Sequence, residues 1–132
     1  MSECFSDILW ARIEGPARSW LEGAWPKAGE APPIVKFRAA FAGAARRLRD
    51  CQMRDEDIQA LADAGVIGAG NWKIDNVART ALLLRALSAL PAGEHAEFVR
   101  QVYLRGDYRE QAAVLHSLAF LPQPEQYLEL AI

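Results

Sequence analysis

Histidine, cysteine and long apolar runs are what this sequence has least of, and each scarcity removes a class of function. Cys4 and Cys51 are the only cysteines. They stand far apart and form no Cys-x-x-Cys pair, so neither a zinc knuckle nor a dithiol redox motif is encoded. Two free thiols in a reducing compartment are expected, since a disulfide requires a fold that brings the two together. His95 and His116 are the only histidines. Neither has a glutamate three residues before it, as a di-iron helical bundle requires, so no metal and no cofactor is expected. There is no Gly-x-Ser-x-Gly element and no paired Cys/His arrangement for nucleophilic catalysis, and no catalytic residue is assigned. No apolar stretch approaches the ~20 residues a membrane span needs. The N-terminal MSECFSDILWARIEG carries acids where a signal peptide would carry Lys or Arg. A soluble, cytoplasmic protein without membrane insertion is the expectation.

What is present forms helices. The 132 residues, 52% hydrophobic against 24% charged, suit one globular domain that buries roughly two-thirds of its extended surface. A formal charge of −2 gives no overall field for holding nucleic acid. The cationic run Arg46, Arg47, Arg49 and Arg54 has no interleaved aromatics and is followed at once by acids. It reads as a solvated helix end, and no nucleic-acid partner is expected.

The periodicity predicts about seven helices and no strand. Phe5, Ile8, Leu9 and Ile13 share one face of a first helix, and Pro16 suits the opening turn of a second. WPKAGEAPP, residues 25–33, marks a loop. Ile34 to Arg49 is amphipathic, with Ile34, Phe37, Phe41, Ala44, Ala45 and Leu48 as its apolar stripe. Asp55 reads as the N-cap of a shorter helix ending at Gly65. Asp75 to Leu90 is apolar nearly all round and is expected at the centre. Its Arg79 and Arg85 must then reach solvent along their stems or find acidic partners. Glu94 to Arg105 follows, with His95, Phe98, Val99 and Val102 on one face. Gly106 reads as a left-handed stop, and Asp107 with Glu110 as a capping box for the next helix. There Tyr108, Val114, Leu115, Leu118 and Leu121 make a stripe, while His116 and Phe120 face a second neighbour. After Pro122 and Pro124 a last apolar helix begins at Tyr127, Leu128, Leu130 and Ala131. Either it docks on the body or the chain is the front of something longer. The predicted architecture is all-α: helices stacked as irregular hairpins, as an α-solenoid fragment or a compact bundle.

Other motifs read plainly. Asp55-Glu56-Asp57 superficially suggests a magnesium site, but adjacent acids diverge on a helix and suit its first turn. GVIGAG, residues 65–70, lacks both the preceding strand and the Lys-Ser/Thr of a phosphate loop. Trp10, Trp20, Trp25 and Trp72 can serve as core or line a groove for an apolar metabolite. Arg79 can make a cation–π contact with Trp72, hold an anionic group, or pair with Asp75 one turn earlier.

The run Trp72-Lys73-Ile74-Asp75, then Ala78-Arg79 and Leu82-Leu83-Leu84, is similar to a W-x-x-D-x-x-A-R-x-x-L-L-L signature. With Arg105-Gly106-Asp107, Glu110-Gln111 and Leu121-Pro122-x-Pro124-Glu125 it resembles the EboA domain over roughly residues 16–132. That family is named for a bacterial gene cluster thought to move a metabolite precursor across the cell envelope. The resemblance implies a scaffold without assigned catalytic residues, whose signature here is Trp72, Asp75, Arg79, Asp107, Glu110, Pro122 and Pro124. Family members usually continue into an Arg-Thr-Asn-type motif, an Asn-Pro-Tyr-Pro-type segment and a Trp-rich helix. Residues 1–132 are therefore expected to be a single α-helical domain, the N-terminal part of a longer EboA-like domain.

Two functions from different classes follow. One is a non-catalytic binding or scaffold protein of a bacterial biosynthetic or metabolite-traffic gene cluster, presenting a helical groove to an apolar metabolite or a partner protein. The other is a small helical enzyme, or an accessory subunit, of natural-product biosynthesis with a Trp/Arg-lined pocket. Candidate ligand-binding residues are Trp20, Trp25, Trp72, Asp75, Arg79 and His116. A homo-oligomer formed through the C-terminal helix is a third reading.

Overall fold

The computed structural model describes residues 2–127, which form α1 (Ser2–Arg12), α2 (Gly15–Ala24), α3 (Ile34–Arg47), α4 (Asp55–Asp63), α5 (Ile74–Ser88), α6 (Ala92–Leu104) and α7 (Tyr108–Ser117). Short 3-10 turns cover Ala69–Asn71, Leu118–Phe120 and Pro124–Tyr127, and there is no strand among the described residues. The fold is all-α. The apolar helix at Leu128, Leu130 and Ala131, and the self-association expected through it, lie outside the described residues.

The element at the centre is α5, the helix whose sequence is apolar nearly all round. Eleven of its 15 residues are buried, and it packs against α1, α3, α6 and α7. The most extensive contact joins α5 to α1, its distant neighbour in sequence. A solenoid unit touches only its chain neighbours, so of the two expected architectures this is the compact bundle. Phe5, Ile8, Leu9 and Ile13 are all buried, as their shared face requires. In α3 and the two residues after it, Phe37, Phe41, Ala44 and Leu48 are buried, while Lys36, Arg46, Arg47 and Arg49 remain exposed.

Two caps differ from expectation. Asp55 lies inside α4, and Arg54 is its N-cap residue. It is Asp57 that turns back, its Oδ2 accepting the Arg54 N–H at 2.9 Å. The same carboxylate accepts two bonds from Arg12, at 2.6 and 3.0 Å, and Glu56 accepts a third at 2.8 Å. The acidic triplet is thus a clasp between α1 and α4. Burial would by itself disfavour ionised Asp57, but the Arg12 guanidinium outweighs this and holds the carboxyl below its ordinary value.

Gly65 closes α4 at φ +97°. Val66 N–H donates to Leu61 O and Gly65 N–H to Ala62 O, both at 3.0 Å, the paired bonds of a Schellman motif. Gly106 does something else, since its φ is not positive. A Cβ there would come within 2.9 Å of Glu110 Cβ and 3.1 Å of the Val102 carbonyl oxygen. The α6–α7 corner needs glycine for space, because the first turn of α7 sets Glu110 Cβ, and the last turn of α6 the Val102 carbonyl, against it. The Asp107–Glu110 box forms as expected, with Glu110 N–H donating to Asp107 Oδ1 at 2.9 Å.

The two arginines of α5 both bond to backbone carbonyls, and Arg79 also has the acidic partner expected one turn earlier. Arg79, 3% exposed, donates from Nε to Phe41 O at 2.8 Å and from Nη2 to Ala42 O at 3.3 Å. Its Nη1 lies 3.5 Å from Asp75, and the guanidinium stacks over Phe41, not Trp72. Arg85 donates to Pro26 O at 2.9 Å and lies over the Trp25 ring. In this way α5 holds the middle of α3 and the 25–33 loop. His95 is buried, with Nε2 2.9 Å from Leu90 O.

Candidate functional site

Trp72 follows the short turn that ends the glycine-rich loop, immediately before α5, and its indole is half-buried. On one side it meets Phe5, Phe120 and His116, with ring centroids 5.8, 6.4 and 6.5 Å away. His116 and Phe120 are one helical turn apart at the end of α7, so the second face predicted for that segment meets the Trp72 indole. α7 itself ends at Ser117 and continues as a 3-10 turn. Tyr108 and Leu115, expected in the packed stripe, are exposed, while Ala113, Val114, Ser117 and Leu121 are buried. The buried face is thus turned from the expected stripe and carries Ser117, whose hydroxyl pairs with Thr80 of α5 at 2.8 Å.

A cleft of about 480 Å³ opens here between the 65–72 loop and the end of α7, with Trp72, His116 and Phe120 on its walls and Asn71 and Asn76 as polar lining. This is within the usual size of small-molecule sites, which are mostly apolar with a few polar groups. Ile67, 96% exposed, stands on its lip. On the other side of Trp72 lies a second cleft of about 750 Å³, bounded by the segment after α3, the start of α5 and the start of α7. Asp75 and Arg79 face it, with Arg49, Lys73 and Arg109. Trp72 and Asn76 line both clefts.

Of the six candidate residues, the fold therefore brings together four. Trp72 and His116 share the smaller cleft, and Trp72, Asp75 and Arg79 share the larger. Trp25 is elsewhere, edge-on to Trp10 at 5.5 Å and under Arg85, a packing role that accounts for its indole. Trp20 lines a shallow trough between α2 and α3 beside Lys36, Arg46 and Arg47. Arg79 has a partner at each of its three nitrogens, so its guanidinium holds protein before it can hold ligand. Phe120 was not among the candidates; its spacing of four from His116 was the signal, since i and i+4 share a face.

Cys4 and Cys51 are free thiols, half-buried on α1 and after α3. Burial raises the pKa of both, the opposite of what activates a thiolate. No described helix is long and apolar enough to cross a membrane.

No curated protein and no solved structure matches the chain. A family model does, and it extends the resemblance through α1 to the first residue. The chain belongs to the EboA family, matching the model described as metabolite traffic protein EboA over residues 1–132.

Proposed function

We propose that this protein is a non-catalytic carrier or scaffold of a bacterial metabolite-traffic or biosynthetic gene cluster, holding an apolar metabolite against Trp72. The observation that carries the reading is the smaller cleft, where Trp72 and Phe120 offer two aromatic walls and Asn71 and Asn76 offer polar groups. Aromatic walls bind apolar surface at about 25 cal/mol per Å² removed from water. The amides would orient whatever polar end the metabolite carries. The family's description as metabolite traffic supports cargo binding over turnover. The enzyme reading draws on Arg79 in a Trp/Arg-lined pocket; that guanidinium already donates to the Phe41 and Ala42 carbonyls at 2.8 and 3.3 Å, which makes cargo binding the better-supported of the two.

Titration with octanol, read by tryptophan fluorescence and by calorimetry, tests the reading. Saturable binding with an emission change is expected in the wild type, and Trp72→Phe should lose most of that change while keeping the fold. Indifference of the wild type to octanol in both measurements would sink it. A second reading, contact of the cleft mouth with a partner protein, would run through Ile67, the large apolar side chain exposed on the lip. In that case Ile67→Asp should abolish co-purification of the partner and leave octanol uptake unchanged.

A further inference from the structure

We infer that the larger cleft receives an anionic group, a phosphate or a carboxylate, carried by the same ligand whose apolar body lies in the smaller one. The inference rests on the reading above and adds the ligand's chemistry. The chain is net acidic at −2, yet this cleft gathers Arg49, Lys73, Arg79 and Arg109 against the single carboxylate of Asp75. Asp75 is engaged with Arg79. Arg49, Lys73 and Arg109 form no salt bridge and no side-chain hydrogen bond among the described residues. The neighbouring acid Asp107 is occupied as the cap of α7.

These three cations come from three different segments: the turn after α3, the cap of α5 and the first turn of α7. Only the fold makes them neighbours of one cleft. A concave wall of one sign focuses potential more than scattered surface charges do, and guanidinium groups match the geometry of phosphate and carboxylate oxygens. The rest of the lining includes apolar Leu48, Met53 and Ile58, so an anion here would sit beside low-dielectric walls. Because Trp72 and Asn76 belong to both clefts, one molecule can lay its apolar body on one side of the indole and its charged end on the other. A neutral apolar ligand would leave the cationic side unused.

Three ligands of equal chain length decide the matter: octyl phosphate, octanoate and octanol, measured by calorimetry in low and high salt. At least one anion should bind about tenfold more tightly than octanol in low salt, which corresponds to about 1.4 kcal/mol. The advantage should shrink as salt rises. Comparing the two anions tells whether phosphate or carboxylate is preferred. The double variant Arg49→Gln/Arg109→Gln, both exposed positions, should erase the advantage and leave octanol binding and helical circular dichroism unchanged. Equal affinity for all three ligands, or an advantage that survives the double variant, overturns the inference while octanol binding keeps the apolar site standing. Failure of all three ligands to bind overturns both.

Discussion

Arg79 and Asp57 are buried ionic side chains whose partners come from distant segments. Arg79 is one turn from Asp75, and the i,i+4 pair forms at 3.5 Å, but the shorter bonds are to Phe41 and Ala42 of α3. Replacing Arg79 with Met removes donors from the inner side of the α3–α5 contact. It should cost about 2–4 kcal/mol, by analogy with charged hydrogen bonds and broken buried pairs, measured by urea unfolding. An unchanged midpoint would mean that the guanidinium holds nothing. Asp57 gives a pH signature. Its folded carboxyl is held below its ordinary value of 3.8 by Arg12, so ionised Asp57 stabilises the fold at neutral pH. That stability is lost as pH falls below 3.8 and through the folded value. Asp57→Asn should cost about 2 kcal/mol at pH 7 and flatten the acid limb of the stability curve. The difference between the two curves isolates Asp57 from Glu110, whose carboxyl is raised by burial and acts in the opposite sense.

Among the elements, helix interiors were legible and helix ends less so. The apolar stripes of α1 and α3 followed their periodicity, because a stripe is a property of one helix. The capping box at Asp107 was equally legible, since its partner is three residues away. Asp55 was misread because three acids in a row can each serve the first turn, and only Arg12 of α1 selects Asp57 for the inside. Gly106 was misread for a related reason, as the need for space at a corner arises from two helices at once. Gly106→Ala should therefore destabilise by about 1–3 kcal/mol through crowding against Glu110 and Val102, without the strain of a left-handed backbone. Adding Glu110→Ala, which shortens one of the crowding side chains but leaves its Cβ, should recover little of that loss in thermal unfolding. Full recovery would show that the carboxylate, and not the corner itself, is the obstacle.

At the scale of the whole molecule, α1 decides how the fold behaves. Phe5 is fully buried and meets Trp72 at 5.8 Å and Phe120 at 5.3 Å, so it joins the first helix to both walls of the smaller cleft. Phe5→Ala should cost about 3–5 kcal/mol, a large part of the roughly 5–15 kcal/mol expected for such a domain. It should also weaken octanol binding. Because the buried residues form one core from α1 to Tyr127, denaturation followed by circular dichroism and by tryptophan emission should give coincident transitions. Separate midpoints would mean that α1 and α2 unfold apart from the α5–α7 part.

The sequence alone determined the helical class, the central place of the apolar helix read as Asp75–Leu90, and the family. These depend on periodicity and on caps within a few residues. Tertiary structure decided which charges face one another and which aromatics share a cleft, because such contacts join residues tens of positions apart. Trp72 was a candidate from its own sequence context. Its place between an aromatic cleft and a cationic one came only when α1, α5 and α7 closed around it.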